Sequence, residues 1–384
     1  MGNFRYQIKL ILMEETMSKA KRILFLCLAI MLIASVAVTA CAPVPTPTEA
    51  PAAPAQPAAT AVPPTKAPTV APTPIPAKCD KLADAPTVKA GEWGSPDKPL
   101  VITYVPSGDT GKITKAGTAI ADCLSKMTGL TIKIEVGTSM GGSIEAMGAQ
   151  KAQIGFLNTF SVLLAIAKYQ VIPGMAVVRK YATPDGYPDP DAALKGIPQD
   201  FYKAEFLTKT DSGINTLADL KGKTFCFVEP NSTSGYVVPN IILKSNGIDP
   251  EKDFKNVVMA GGHDKVAISV YKGDCDAGVT FVDTRTDTSY KLYETYKDIG
   301  TVLKVFFLSE RLPNDGIQYI KQLDPKVQAA ITAGLVAMSA DPGGKQILKA
   351  LYNVDLYKKI DPTYYDAFAA ALKKAGVDPV TLVK

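Results

Sequence analysis

Between Val228 and Asn240 the sequence reads VEPNSTSGYVVPN. Asn231, Ser232, Thr233 and Ser234, followed by Gly235, put four hydroxyl or amide side chains between a hydrophobic run and an apolar-periodic one. Such residues suit a helix N-cap, because a side-chain oxygen accepts the unpaired N–H groups of the first turn, and one is enough for that task. The surplus points the hydroxyls and N–H groups at a ligand, and a helix N-terminus favours an anion.

Comparable groups recur at the other strand-to-helix corners, where open α/β sheets bind ligands. The first half of the chain offers PSGDTG (Ser107, Thr110), GTSMGGS (Thr138, Ser139, Ser143) and LNTFS (Asn158, Thr159, Ser161). The second half adds GGHDK, with the chain's single histidine at His263, and VDTRTDT, with Asp283 and Thr284. Each corner read alone is explained as well by capping as by a ligand. Taken together, neutral donors grouped at helix N-termini hold an oxyanion by hydrogen bonds, each contributing roughly 1.5–3 kcal/mol when the oxygen is charged. His263 follows Gly261-Gly262; with Asp264 capping a helix from Lys265, the imidazole is free to enter a cleft. Asp283 reads equally as a cap and as a partner for a proton or ammonium on the ligand. One histidine gives no metal-ligand spacing, and neither G-x-S-x-G nor a Walker loop is present, so no catalytic residue, cofactor or metal is expected.

Apolar segments space these corners. LVITYV, TIKIEV and IGFLN read as strands between helical stretches such as AIADCLSKM, in which Ala116, Ile120, Leu124 and Met127 share a face. After a polar, proline-containing interval at 181–200 the rhythm restarts with TFCFV, NVVMAG and AGVTFVD, giving a second α/β lobe. Pro239 predicts a kink or a later start for a helix that would otherwise begin near Thr233. From Pro313 a short strand, GIQYI, precedes amphipathic helices that pack on one of the lobes.

The N-terminal region does something else. Lys21-Arg22 precede an apolar run of 18 residues that ends in VTAC, the pattern of an export signal over residues 1–40. An uncleaved membrane anchor is the alternative, since about 20 residues cross a bilayer. The VTAC ending resembles a bacterial lipobox, which makes Cys41 the lipidated first residue of the mature chain. Residues 42–78 hold 12 prolines and six threonines and almost no large apolar residue. At about 3.1 Å per residue such a tether reaches on the order of 100 Å. Residues 1–40 carry five Lys/Arg and two Asp/Glu of the formal +5, leaving +2 for the remainder. That near-neutral balance speaks against nucleic acid. Cys79, Cys123, Cys226 and Cys275 are an even set suited to an oxidising compartment, with three pairings open.

The stretch from SGINTLADLKGKTFCFVEPNSTSGY to DAGVT, with RLPNDGIQYI, resembles the substrate-binding proteins of phosphate, phosphite and phosphonate ABC importers, the PhnD-like family, from about Leu100 to about Tyr365. The resemblance implies an α/β, type II periplasmic-binding-protein fold, two α/β lobes joined by two crossing hinge segments near Phe201–Leu207 and Pro313–Gly316. The division then runs 1–40 signal, 41–95 anchor cysteine and tether, 96–204 with 314–384 lobe one, and 205–313 lobe two. Oxyanion contacts pass by resemblance to Ser232, Thr233, Ser234 and His263, and to Thr159 and Ser161, with Ser107, Ser139 and Asp283 as further candidates. Where many relatives carry a tyrosine in lobe one, this chain has Met140. The fold also favours the pairings Cys226–Cys275 and Cys79–Cys123. The implied function is an extracytoplasmic lipoprotein, a monomer, that captures a phosphorus oxyanion with uncharged donors from both lobes and delivers it to an ABC permease. A sensor signalling to a membrane kinase and a transferase-like enzyme are the alternatives.

Overall fold

The computed structural model describes residues 75–379; the export segment, Cys41 and the tether as far as residue 74 lie outside them. The chain opens with β1 (Leu100–Tyr104), α1 (Thr110–Thr128), β2 (Ile132–Val136), α2 (Met140–Gly148), β3 (Ile154–Leu157), α3 (Thr159–Tyr169) and β4 (Ile172–Lys180). In β1, Leu100, Ile102, Thr103 and Tyr104 are all fully buried, because helices cover both faces of a strand paired in parallel with β2 and β3. On α1 the positions spaced for a helical face, Ala116, Ile120, Leu124 and Met127, are all buried, together with neighbours such as Ile113 and Cys123.

Short strands β5 (Pro198–Gln199) and β6 (Phe201–Tyr202) lead into a second sheet built from β7 (Ala204–Lys209), β8 (Thr224–Phe227), β9 (Asn256–Met259), β10 (Ala277–Phe281) and β11 (Leu303–Leu308), with α4 (Val238–Ser245) and α5 (His263–Lys272) between them. The chain returns through β12 (Leu312–Pro313) to β13 (Gly316–Tyr319), α6 (Pro325–Ala340), α7 (Pro342–Tyr352), β14 (Leu356–Lys359) and α8 (Asp366–Lys374). The first sheet is ordered β14-β4-β13-β3-β1-β2 with β5 beside β4, and the second β11-β7-β10-β8-β9. The two passages between the sheets pair with each other, Leu312 with Tyr202 and Pro313 with Phe201. One antiparallel ladder therefore links both crossings.

Charged side chains flank that ladder. Lys203, one residue past β6, is buried against Asp189 and Asp191 at 2.7 Å each, and Arg311, one residue before β12, pairs with the same Asp191. Both bridges are formed: Cys226–Cys275 joins the end of β8 to the residue pair before β10, and Cys79–Cys123 ties residue 79 to α1. Residues 75–95, expected as the end of the tether, are corrected to part of lobe one, because Cys79, Leu82, Val88 and Trp93 pack on its core; Leu82 N–H donates to the Met127 carbonyl at 2.8 Å and Lys78 N–H to Asp341 at 3.1 Å. No helix among the described residues is long and apolar enough to cross a membrane.

Candidate functional site

Residues of both lobes enclose a cavity of about 40 Å³ beside the crossing ladder. At roughly 10–15 Å³ per water-sized centre it takes about three or four such centres, the scale of one tetrahedral oxyanion. Ser107, Asn158, Arg179 and Tyr352 line it from lobe one, Ser232, Thr233, Ser234, His263 and Tyr290 from lobe two, and Tyr202 and Asp315 from the two crossings.

The serine-threonine turn owes its shape to Gly235 and Pro239. A Cβ on Gly235 would sit 2.3 Å from the Val228 side chain, so only glycine lets the chain fold back here. The turn Thr233–Val237 is wide: Val237 N–H donates to the Ser232 carbonyl at 2.9 Å, five residues back. The regular helix begins later, at Val238, which places Pro239 in its first turn, where a missing N–H costs nothing. Ser232 Oγ accepts the Gly235 N–H at 3.1 Å, so it caps the turn while facing the cavity.

Thr233 is set as a donor by its surroundings. Its hydroxyl oxygen accepts from the Phe160 N–H at 2.8 Å and from Asn158 Nδ2 at 3.3 Å, both across the cleft. A hydroxyl has two lone pairs and one proton, so with both lone pairs engaged the proton is the free valence. The same contact ties the N-terminus of α3 in lobe one to the turn in lobe two.

His263 starts its helix rather than preceding it. The helix runs His263–Lys272 after Gly262, without a side-chain cap, so the expected start at Lys265 capped by Asp264 is corrected. The His263 N–H donates to the Ser107 carbonyl of lobe one at 3.1 Å. Its ring meets Phe281 edge-on with centroids 5.0 Å apart, and Nε2 lies 3.5 Å from Ser232 Oγ. Burial, reinforced by the Arg179 charge, lowers its pKa to about 3, so the imidazole is neutral. A neutral ring offers one donor and one acceptor.

Four sequence candidates are placed elsewhere. Thr159 donates to the Pro313 carbonyl at 2.7 Å, locking α3 to the second crossing. Ser161 is buried two residues further into α3, outside the cavity wall, with its hydroxyl unpartnered among the described residues. Ser139 caps α2 by accepting from Gly142 N–H at 2.9 Å; the Met140 N–H of that helix donates instead to Glu229 Oε1, a carboxylate of lobe two, at 2.8 Å. Asp283 is held by Arg285 through Nε at 2.9 Å and Nη2 at 3.1 Å, both residues buried, on the wall of a neighbouring cavity. Its partner is a resident cation, so the ligand-ammonium reading is corrected. Met140, by contrast, does line the binding cavity.

The expectation of purely uncharged donors also changes. Arg179, at the end of β4, donates through Nε to the Tyr352 carbonyl at 2.8 Å, through Nη1 to Asn314 at 3.0 Å and through Nη2 to Asp315 at 3.3 Å. Three of its five N–H donors are used in this way. Arg179 and Asp315 together bring no net charge to the wall. Neither lies at a strand-to-helix corner, which is why attention to corners passes over them. The phenols of Tyr290 and Tyr352 donate to the carbonyls of Ser107 at 2.8 Å and Val105 at 2.7 Å. Burial foremost, with Asp315 adding to it, raises the pKa of Tyr202, so its phenol also stays protonated.

The family model described as "ABC transporter, phosphonate, periplasmic substrate-binding protein" matches residues 102–365, more than half of the chain. This chain belongs to that family. Among curated phosphonate-type binding proteins it is 28% identical over 196 residues to the phosphate-import protein PhnD of Mycolicibacterium smegmatis, covering 49% of this chain and 56% of that one. It is 26% identical over 232 residues to the phosphonates-binding periplasmic protein of Escherichia coli K12, covering 59% and 62%. The matched stretches thus span less than two thirds of either relative. Two solved structures share the fold: a binding-protein component of an ABC phosphonate transporter from Pseudomonas aeruginosa (TM-score 0.59, 21% identity, 71% of this chain and 85% of that one) and PhnD1 of Prochlorococcus marinus in complex with methylphosphonate (TM-score 0.58, 17% identity, 72% and 98%). The two-lobe α/β architecture described above is the one these binding proteins have.

Proposed function

We propose that this protein is an extracytoplasmic receptor that captures a phosphate, phosphite or phosphonate between its lobes and passes it to an ABC permease. The observation that carries this reading is Thr233. Its proton is available to an enclosed space of oxyanion size shared with Tyr202, because the Phe160 N–H and the Asn158 side-chain amide of the opposite lobe occupy its lone pairs. Ser234, Ser232, neutral His263 and the remaining Arg179 N–H groups extend the donor set around the same space. The M. smegmatis and E. coli relatives, whose names specify phosphate import and phosphonate binding, support the ligand class. In this reading lipidated Cys41 holds the protein at the outer face of the membrane, and the proline-rich segment gives the lobes reach to the permease. Release requires the lobes to part, a hinge motion about the β6–β12 ladder that breaks the contacts of Thr233 and His263 with lobe one. The bound anion is released unchanged.

Calorimetric titration with phosphate, phosphite, methylphosphonate and aminoethylphosphonate tests this. Saturable binding of at least one is expected, weakened about tenfold or more in both His263→Ala and Ser232→Ala, which is one charged hydrogen bond lost in each. Unchanged affinity in both variants would remove these residues from the site.

A further inference from the structure

The cavity wall contains acceptors as well as donors, and an anion without hydrogens leaves them unsatisfied. Asn158 is the sharpest case. It is 6% exposed, lines the cavity, and its Oδ1 has no hydrogen-bond partner among the described residues. The amide orientation is settled by its other end, since Nδ2 donates to the Asn231 carbonyl at 2.8 Å and to Thr233 at 3.3 Å. A flipped amide would set oxygen against the Asn231 carbonyl, so the unpartnered atom is the carbonyl oxygen, which only accepts. The wall holds other acceptors. The protons of Tyr290 and Tyr352 are committed to backbone carbonyls, which leaves lone pairs on both phenols, and Asp315 is a carboxylate.

Leaving a buried acceptor unmet costs about 1–3 kcal/mol. A fully ionised tetrahedral anion brings only acceptors to this wall, three oxygens from a phosphonate or four from sulfate, and repels each of these oxygens. A ligand with one P–OH group supplies the missing proton while its other oxygens accept from Thr233, Ser234 and Arg179. We propose that Asn158 is a specificity-determining residue that selects oxyanions carrying a P–OH proton, the monoanionic form of a phosphonate, phosphite or phosphate, over proton-free anions such as sulfate. The inference rests on the receptor reading above and narrows its ligand to one ionisation state.

The charges around Asn158 favour the same state. Arg179 is matched by Asp315, His263 is neutral, and the carboxylate of Glu229 is engaged by the Met140 N–H, so no unbalanced positive charge calls for a dianion. Tyr202 and Tyr290, both raised by burial, add none.

The test is calorimetric titration of the full chain with methylphosphonate and with difluoromethylphosphonate, whose second ionisation lies at lower pH, together with sulfate. Above each ligand's second ionisation, affinity is expected to fall about tenfold per pH unit, and the break should move with the ligand. Sulfate is expected to bind at least about 100-fold more weakly than methylphosphonate. In Asn158→Leu the ratio of methylphosphonate to sulfate affinity should shrink about tenfold or more, a ratio insensitive to a general loss of folded protein. A flat profile, or a break at one pH for both phosphonates, overturns the inference and leaves the receptor reading standing. If none of the phosphorus anions binds at any pH, the receptor reading fails and the inference with it.

Discussion

Valine in place of Thr233 is expected to weaken methylphosphonate binding by about 100-fold or more. The substitution keeps the side-chain shape but removes three hydrogen bonds: the donor to the ligand, worth roughly 1.5–3 kcal/mol against a charged oxygen, and the acceptor for Phe160 N–H and Asn158 Nδ2, whose exposure to an apolar neighbour costs about 1–3 kcal/mol. Even the lower end, near 3 kcal/mol, spans two decades of affinity. Thr233→Ser keeps the hydroxyl and should stay within about tenfold of the parent. Calorimetry on both variants, with melting temperatures to confirm folding, checks the result; a valine variant that binds like the parent would show that this hydroxyl does not face the ligand.

The second large effect falls on stability rather than on binding. Asp283→Ala leaves Arg285, buried and already held on the Leu303 carbonyl, without its carboxylate. Breaking a buried ion pair from one side costs about 3–5 kcal/mol. Glu205, also buried and in contact with Thr280 at 3.1 Å, is the remaining carboxyl of this cluster. Burial foremost, reinforced by Asp283, raises its pKa. Removing Asp283 relieves that repulsion and leaves Glu205 as the neighbouring carboxyl of Arg285, which places the expected loss at the lower end of that range. Urea denaturation measures it, and the affinity of the folded protein should remain within about threefold. Normal stability with lost affinity would return Asp283 to the role of ligand partner.

Much of the architecture is legible in the sequence because strand and helix periods are local signals. The spacing of Ala116, Ile120, Leu124 and Met127 is enough to place α1, and the strand-ending turns mark where lobe two faces the cleft. Within the site, Ser232, Thr233, Ser234, His263 and Ser107 share one cavity, each on a strand-to-helix corner. What stays hidden depends on partners distant in the chain. Nothing local to Asp283 separates a ligand contact from a clasp on Arg285 two residues on, and Thr159 is turned to Pro313, 154 residues away. Arg179 ends an ordinary strand and Asp315 sits in a crossing segment, so neither carries a positional signal until the fold brings them to within 3.3 Å. The donor character of Thr233 is not in its own sequence either; it follows from Phe160 and Asn158 taking its lone pairs across the cleft.

The most direct measurement is a crystal structure of the protein grown with methylphosphonate. The account predicts one phosphorus centre in the interlobe cavity, with oxygens at hydrogen-bond distance, about 2.6–3.0 Å, from Thr233 Oγ1 and contacts to groups of both lobes. A phosphonate bound on one lobe only, or outside the space between Thr233, His263 and Arg179, would contradict it.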